Sequence, residues 1–290
     1  MSDNSAGLRF DTEGRAGLSG VSILSWTDGA LSSMSSHWVL LGGGDVAGEP
    51  VSLESETIPV GNLGNGDRDE MFRLYERYYE ATDQGRFERD LSEKNAVVVI
   101  RRNSDIVGFS TLAVGSLIVD GETVHYLFSG DTVLDASRWG DPVLLRAWFR
   151  AAGAVKAKVG EERLFWFSIM MGHRTFRILP NFFREFVPAI DGKDRSDLRL
   201  IRNQIAAARY GRFFDATSGL IDFGQSQGHL RREWASVEKT AERNRFAAFF
   251  LSANPAYYRG VELACLAEFN SANLKRYGAT SFAEGLSDGR

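Results

Sequence analysis

The residues of this sequence that could carry chemistry are few and far apart. The histidines, which are His37, His125, His173 and His229, fall in different predicted elements, and no Cys/His pair has the spacing of a zinc site. The one cysteine, Cys265, stands in an apolar stretch, which favours a buried thiol over a nucleophile. The sequence therefore predicts no metal site and leaves isolated histidines and carboxylates as candidate proton carriers.

No nucleotide-binding or hydrolase signature accompanies these residues. Gly42, Gly43 and Gly44 form a glycine run, but no Lys-Ser or Lys-Thr pair follows it, so a flexible connector is predicted there. The sequence also contains no Gly-x-Ser-x-Gly segment and no dinucleotide-binding glycine pattern after a first strand. An activity must therefore be inferred from the predicted elements that position the candidate residues.

Composition and charge are those of a soluble globular protein with an uneven charge distribution. The chain has 290 residues and a net charge of −4, with −9 in residues 1–95 and +5 in the remainder. We recognise no signal peptide and no apolar run long enough to span a membrane, so a cytoplasmic protein is predicted. The basic remainder would attract an anionic ligand.

The first part of the predicted central unit consists of two hairpins. Residues 96–100 and 106–114 are rich in β-branched and aromatic side chains, which predicts two strands. Asp120 and Gly121 stand between two further apolar runs, and Asp-Gly is typical of a type I′ turn. The last of these strands is predicted to end near Val133.

A helix, a buried strand and a second helix complete this unit. Asp141 and Pro142 suit the start of a helix over 143–159. The continuous apolar run at 164–171 predicts a strand covered on both faces. Residues 173–186 predict an interrupted helix. The predicted order over residues 96–186 is strand, strand, strand, helix, strand, helix.

The remaining elements are predicted on either side of this unit. They are a hairpin or covering loop between 21 and 44, a strand at 51–60, helices at 67–82 and 87–94, basic helices at 193–212 and 234–251, a late strand at 260–269 and a helical turn at 273–277. We divide the chain into a polar, partly mobile segment 1–50, a core 51–188 and a helical extension 189–290 that packs on the core as one domain.

The element order resembles the central part of the GNAT (Gcn5-related N-acetyltransferase) superfamily. There, the helix after the third strand begins with a Q/R-x-x-G-x-G/A loop whose backbone N–H groups hold the pyrophosphate of an acyl-CoA. The matching segment here is 137–142, in which Gly140 fits and Arg138 is displaced by one position. Residues 172–179 lack the asparagine and tyrosine of the family's later segment. The resemblance is therefore to a divergent member with a degenerate acyl-CoA loop.

The resemblance implies an α/β (α+β) fold with a GNAT-like mixed central sheet flanked by helices, and here a helical C-terminal extension. It also implies acyl-CoA or an acyl-carrier thioester as co-substrate, without a metal. The thioester would lie in a gap between the strands that end near Val133 and Met171. The candidate donor-binding residues are Val133, Arg138, Trp139, Gly140, Arg174 and Arg177.

The same resemblance suggests roles for residues of the reaction centre. His125 and Asp131, on the strand that lines this centre in the superfamily, and Glu76 on the acceptor side are candidate bases. His173 is a candidate acid or anion contact. The candidate substrate contacts are Tyr75, Tyr78, Tyr79 and Ser168.

Three functions remain open at this point. The first is an acyltransferase that moves an acyl group from acyl-CoA or an acyl-carrier protein to an amine of a small molecule, without membrane involvement. The second is a CoA- or metabolite-binding module without catalysis, favoured by Pro142 and the missing tyrosine. The third is a GNAT-like transferase that uses aminoacyl-tRNA, suggested by the basic helices near 193–212 and 231–245, although acidic residues interleave with their bases.

Overall fold

The computed structural model describes residues 36–38, 53–235 and 244–289 of the chain. The strands are β1 Ser36–Trp38, β2 Leu53–Pro59, β3 Tyr79–Glu80, β4 Ala96–Arg102, β5 Asp105–Val119, β6 Glu122–Leu134, β7 Arg163–Met170, β8 Phe214–Asp215, β9 Leu220–Ile221, β10 His229–Leu230 and β11 Glu262–Glu268. The helices are α1 Asn65–Glu76, α2 Gln84–Ser92, α3 Val143–Val159, α4 His173–Phe176, α5 Ile178–Phe182, α6 Ser196–Tyr210, α7 Arg232–Ala235, α8 Arg245–Ala253 and α9 Arg276–Asp288.

Nine of the described strands form one mixed sheet flanked by helices, in the order β1-β2-β4-β5-β6-β7-β11-β9-β8. β4 is antiparallel to β2 and to β5, and β11 is antiparallel to β7. The predicted α/β fold class is confirmed, together with the C-terminal helices. The predicted order of the central unit corresponds to β4, β5, β6, α3, β7 and α4.

The central hairpins turn where the sequence predicts. Asp120 and Gly121 have φ angles of 50° and 85°, which a type I′ turn requires at both central positions. Asn103, in the turn between β4 and β5, has a φ of 56°, a conformation that asparagine tolerates better than most residues. β5 extends from Asp105 to Val119, so the second of the three predicted strands includes both the run at 106–114 and the apolar run that precedes Asp120.

β7 and α3 also match the prediction closely. Positions 164–168 of β7 are all buried, as expected for a strand covered on both faces. α3 begins at Val143 and ends at Val159, and the Asp141 Oδ1 accepts a hydrogen bond of 2.9 Å from the backbone N–H of Val143. This bond satisfies one of the donors at the start of the helix that have no partner within it.

The described residues form two compact units that alternate along the chain. The α3 unit comprises the described parts of 26–113, 129–160 and 276–290. The α6 unit comprises residues 114–128 and the described parts of 161–275. The fully buried large side chains of the α3 unit include Met71, Leu74, Phe109 and Phe149, and those of the α6 unit include Phe165, Phe167, Phe176, Phe183, Phe250 and Phe269.

The end of the chain corrects one prediction. A short helical turn was expected at 273–277, but α9 extends to Asp288 and packs against α3. Glycines allow the two helices to approach closely, because a Cβ on Gly285 would lie 1.9 Å from the backbone oxygen of Arg150, and one on Gly153 would lie 2.1 Å from that of Phe282. Apart from Phe282, the fully buried positions of α9 are small residues, so the periodic hydrophobic signal of a helix is weak.

The basic helices and the late strand differ in outcome. α6 lies within the predicted span 193–212, and β11 joins the sheet beside β7 as predicted. The single helix predicted at 234–251 is wrong. α8 begins at Arg245, where the Oδ1 of Asn244 accepts hydrogen bonds of 3.0 Å and 3.4 Å from the N–H groups of Phe246 and Ala247 and so caps a new helix.

The N-terminal hairpin or loop predicted at 21–44 lies outside the described residues, apart from β1, which pairs with β2. Within the described ranges, no helix combines the length and apolar character needed to cross a membrane.

Candidate active site

Two carboxyl groups and a lysine form a cluster in the α3 unit. Asp131 lies on β6 and is half-buried. Burial, together with the negative charge of Asp90, raises the pKa of Asp131 from 3.8 to about 7. The charge of Lys94 and a hydrogen bond with the Tyr75 side chain act in the opposite direction. Asp131 is therefore a carboxyl group that titrates near neutral pH.

Lys94 is held against Asp90 at the end of α2. Only 2% of its side chain is exposed, and its Nζ donates hydrogen bonds of 2.6 Å to the Asp90 Oδ2 and 2.9 Å to the Asp90 backbone oxygen. The cluster thus contains one buried ammonium group and two carboxyl groups. Since two carboxylates outnumber one cation, the site favours keeping one proton on the acids.

Aromatic rings stand beside this cluster. The rings of Tyr75 and Tyr79 are stacked, with centroids 4.4 Å apart, and Phe87 contacts Tyr75 with a centroid distance of 5.6 Å. α1 ends at Glu76, so Tyr78 and Tyr79 follow the helix instead of continuing its predicted stripe. The stacked tyrosines form an apolar wall beside the cluster.

Tyr78 fastens the loop between β6 and α3. Its hydroxyl oxygen accepts a hydrogen bond of 2.6 Å from the backbone N–H of Ala136, and its ring lies 6.3 Å from that of Trp139. Burial raises the pKa of Tyr78, and the bond from Ala136 opposes the rise. The Trp139 indole N–H donates to the backbone oxygen of Leu134 at 2.9 Å. The predicted donor loop is thus tied to the end of α1 and to the end of β6.

Asp135 stabilises the same loop. Its carboxylate accepts hydrogen bonds from the Ser137 N–H and hydroxyl, at 3.0 Å and 2.7 Å, and forms an ion pair of 3.1 Å with Arg77. Burial acts to raise the pKa of Asp135, but the bonds from Ser137 and the charge of Arg77 outweigh it and lower the pKa. Asp135 therefore stays ionised as a structural support of the turn.

The remaining donor-binding candidates of the α3 unit lie in or beside this loop. Gly140 has a φ of 95° and open space where a Cβ would stand, and Trp139 is 43% exposed. The Nε of Arg138 is buried and has no hydrogen-bond partner among the described residues. Val133 is buried on β6, two positions after Asp131. Arg138 is the cation of the loop that could contact a phosphate.

Asp141 and Glu76 complete the predictions in this unit. Asp141 accepts the hydrogen bond of the Val143 N–H at the start of α3. Its carboxylate also adds a negative charge at the point where an anion would bind. Glu76 is exposed at the end of α1. Asp131 and Tyr75 are therefore the predicted catalytic and substrate residues that the structure brings together.

The other predicted site residues belong to the α6 unit. His125 is buried, and its Nε2 pairs with the carboxylate of Glu162 just before β7. Ser168 is buried on β7 opposite Cys265 of β11. These contacts fit structural roles within the sheet.

The α4 residues form a separate group in that unit. Burial lowers the pKa of His173, and the charges of Arg174 and Arg177 lower it further. Arg174 donates a hydrogen bond of 2.8 Å to the backbone oxygen of Trp234, and Arg177 is exposed. His173 is therefore a neutral imidazole near pH 7.

Sequence reasoning missed Asp90 and Lys94. A usable signal was present, because an acid and a lysine four residues apart at the end of a predicted helix can pair on one face. What the sequence could not give is their proximity to Asp131, which lies on a strand 37 residues beyond Lys94. Among the described residues, no group of three or more His, Cys, Asp or Glu side chains could hold a metal ion.

No protein-family model and no curated protein matches this chain. Several solved structures match part of this chain, and three of them serve as examples. A conserved protein from Enterococcus faecalis, described as a probable N-acyltransferase, is 16% identical over 43% of this chain, with a TM-score of 0.33. The match spans 31% of the length of that protein.

The other two structures are smaller proteins. An aminoglycoside acetyltransferase from an uncultured soil metagenomic sample, in complex with trehalose, is 19% identical over 39% of this chain and 76% of its own, with a TM-score of 0.30. A mutant AtaT toxin, bound to the C-terminus of the antitoxin AtaR and to acetyl-CoA, is 17% identical over 45% of this chain and 84% of its own, with a TM-score of 0.30. Similarity at this level transfers no activity or substrate, so a function must rest on the side chains described above.

Proposed function

We propose that this chain transfers an acyl group from a thioester donor to an amine of a small molecule, with Asp131 accepting a proton from that amine. The observation that carries the proposal is the half-buried carboxyl group of Asp131, whose pKa is raised to about 7. A general base is most effective when its pKa lies near the working pH. An exposed aspartate, with a pKa near 4, would be a much weaker base.

The surroundings of Asp131 suit an amine that arrives as an ammonium ion. Tyr75 and Tyr79 place apolar rings beside Asp131, and the carboxylate supplies the charge that attracts an ammonium ion. The pair of Asp90 and Lys94 is neutral as a whole, so it adjusts the proton affinity of Asp131 without occupying its carboxylate with a full counter-charge. A small primary amine is thus the acceptor class that we infer.

The proton balance of the reaction is as follows. Two protons leave the nitrogen when an ammonium ion becomes an amide. Asp131 accepts the first, which frees the nitrogen lone pair to form the C–N bond with the thioester carbonyl carbon. The C–S bond then breaks with its electron pair remaining on sulfur, and the thiolate takes up the second proton. Asp131 releases its proton to solvent before the next cycle.

The loop between β6 and α3 is the inferred donor site. Arg138 supplies a cation with a buried Nε that lacks a partner among the described residues, and the exposed indole of Trp139 can contact an adenine ring or a pantetheine arm. The hydrogen bond between Tyr78 and Ala136 keeps the loop in place beside the acceptor residues. The donor is inferred to be an acyl-CoA or an acyl-carrier protein thioester.

A direct test combines a panel of acyl-CoA and acyl-carrier thioesters with a panel of primary amines. Release of free thiol is followed with a thiol reagent, and the amide product is identified by mass spectrometry. Wild-type protein is expected to release thiol only when an amine is present, and Asp131→Asn is expected to lose this activity. Asp120→Asn, in the exposed β5–β6 turn, is the matched control and should behave like wild type. Equal activity in wild type and Asp131→Asn would contradict the proposal.

A thioester-binding protein without turnover is a second candidate, favoured by residues 172–179, which contain no tyrosine that could protonate the leaving thiolate. This function predicts saturable binding of CoA by calorimetry with no thiol release for any acyl-CoA and amine pair. Amine-dependent thiol release excludes it.

A further inference from the structure

Arginines on and beside α6 differ in how their charges are compensated. Arg195 pairs with Asp191 at 2.7 Å and 3.0 Å, Arg199 pairs with Asp194 at 3.4 Å, Arg209 stacks on the ring of Phe128 at 4.3 Å and Arg212 stacks on that of Phe213 at 4.9 Å. Arg202 has neither an acidic nor an aromatic partner within the described residues. It is also more deeply buried than any of the others, with 4% exposure.

The hydrogen bonds of Arg202 leave one edge of its guanidinium group open. Its Nε and Nη2 both donate to the Oδ1 of Asn203, at 3.0 Å and 2.7 Å. Nη1 has no hydrogen-bond acceptor among the described residues. The N–H groups of Nη1 and the second N–H of Nη2 therefore form a free fork, and a fork of this shape matches a carboxylate or phosphate in a bidentate arrangement.

The groups around Arg202 do not neutralise it. Burial raises the pKa of the Cys265 thiol far above neutral pH, so this group is uncharged, and Arg199 adds further positive charge. An arginine cannot escape burial by losing its proton, since its intrinsic pKa is above 12. The amide oxygen of Asn203 carries only a partial charge. Arg202 is thus a buried cation without a counter-ion in the described chain, an arrangement that is costly unless an anion completes it.

The turn between β8 and β9 is shaped to accommodate the guanidinium group. Gly219, with a φ of 76°, packs against Arg202, and a Cβ at this position would lie 2.5 Å from the Nη1. The amide of Asn203 approaches the same turn, with its Nδ2 3.5 Å from the backbone oxygen of Ala216. Asp215 does not compensate the arginine, because its carboxylate accepts hydrogen bonds from Thr217 and Ser218 within the turn.

We propose that Arg202 is the anchor of a binding site for an oxyanion, the phosphate or carboxylate group of a ligand, between α6 and the β8–β9 turn of the α6 unit. The free fork of the guanidinium group supplies the charge-assisted hydrogen bonds, and Asn203 fixes its orientation. This site is independent of the acyl-transfer proposal, because every residue in it belongs to the α6 unit and none is assigned to donor or acceptor.

The test compares thermal unfolding of the full chain in phosphate, acetate and chloride at the same ionic strength and pH. Phosphate or acetate is expected to raise the Tm of wild type above its value in chloride, with a dependence that saturates with concentration. Which of the two acts distinguishes a phosphate from a carboxylate ligand. Titration calorimetry with the active anion should give a Kd that is weakened about tenfold or more in Arg202→Met.

Arg209→Met is the matched control, because Arg209 lies on the same helix but rests on aromatic rings. It should retain the anion-dependent rise in Tm that Arg202→Met loses. If Arg202→Met does not fold, Arg202→Lys decides, because it keeps the charge but loses the planar fork and should respond more weakly than wild type. The proposal is overturned if wild type has the same Tm in all three salts. It is also overturned if the Arg202 variant responds as strongly as wild type.

Discussion

Asp131 in the α3 unit and Arg202 in the α6 unit are both ionisable side chains with limited exposure to water. They differ in whether the charge that burial destabilises can be removed. Asp131 has a second carboxyl group and a lysine beside it, and its pKa is raised to about 7. Arg202 has an amide oxygen as its hydrogen-bond acceptor and another arginine nearby. A carboxyl group can become neutral by taking up a proton, whereas a guanidinium group stays charged.

This difference indicates what each site is suited to do. A group that changes its protonation state near pH 7 can exchange protons with a substrate. A group that remains charged can only attract an opposite charge. The same physical cost, desolvation, therefore favours proton transfer at Asp131 and anion binding at Arg202.

The largest effect is expected for the rate of acyl transfer in Asp131→Asn. Loss of a general base lowers the rate by about 10²- to 10⁴-fold. In wild type, kcat/KM should rise with pH and level off above about pH 7, because the ionised carboxyl group is the active form. The measurement is thiol release over pH 5 to 9. A variant that retains the wild-type profile would remove Asp131 from the chemistry.

The free energy of unfolding should depend on pH in the opposite direction to the activity. The pKa of Asp131 is about 7 in the folded protein and 3.8 as the model value for the unfolded chain. The folded state thus binds the proton more tightly, and the stability it contributes is present at low pH and lost as pH rises from about 4 to about 7. Asp131→Asn, which stays neutral, should gain stability over wild type across this window, by up to about 4 kcal/mol above pH 7.

Urea unfolding at pH 5 and pH 8 measures this gain, since other titrating groups cancel in the difference between variant and wild type. Asp120→Asn should show the same pH dependence as wild type. A constant difference between Asp131→Asn and wild type at both pH values would mean that the carboxyl group has no raised pKa.

On the other side of the comparison, Arg202→Met should not destabilise the protein in chloride buffer. Removing an uncompensated buried charge is neutral or stabilising. Arg209→Met should cost about 0.5–2 kcal/mol, because it removes the stacking of the guanidinium group on Phe128. The free energy of unfolding from urea titration separates the two. Equal destabilisation of both variants would show that the charge of Arg202 is compensated.

The smallest effects are expected from the neighbours of Asp131. Lys94→Met should move the midpoint of the pH profile upward, because Lys94 lowers the pKa of Asp131. Asp90→Asn should move it downward, because the charge of Asp90 raises that pKa. Each shift should be about one pH unit, equivalent to about 1.4 kcal/mol. Lys158→Met, an exposed position on α3, should leave the midpoint unchanged. Shifts in the reversed directions would contradict the assignment of the cluster.

Local signals in the sequence were sufficient for much of the fold. The bounds of α3 follow from Pro142 and an apolar run, and the β5–β6 turn follows from Asp120 and Gly121, because each depends on the conformational preferences of a few adjacent residues. The full length of α9 was not predicted because its contact with α3 uses Gly285. A glycine contributes nothing to a hydrophobic periodicity.

The candidate site was only partly accessible from the sequence for a related reason. Asp131 could be chosen as a candidate base from its strand, but its raised pKa depends on burial and on Asp90, which approaches it because α2 packs against the sheet through Phe87 and Phe109. The absence of a counter-ion at Arg202 is likewise a tertiary property. The sequence shows α6 as a basic helix with acids interspersed and does not reveal which arginine lacks a partner.

The glycine contact between α3 and α9 has a consequence for how the polypeptide is made. Residues 160–275 separate the two helices in the chain, so a ribosome must produce all of them before α9 can cover α3. Until then the face of α3 that receives Gly285 is open, and the α3 unit cannot complete its packing during synthesis of its own first segments. Shortening the chain before residue 276 should therefore yield a nascent product that depends on chaperones for solubility.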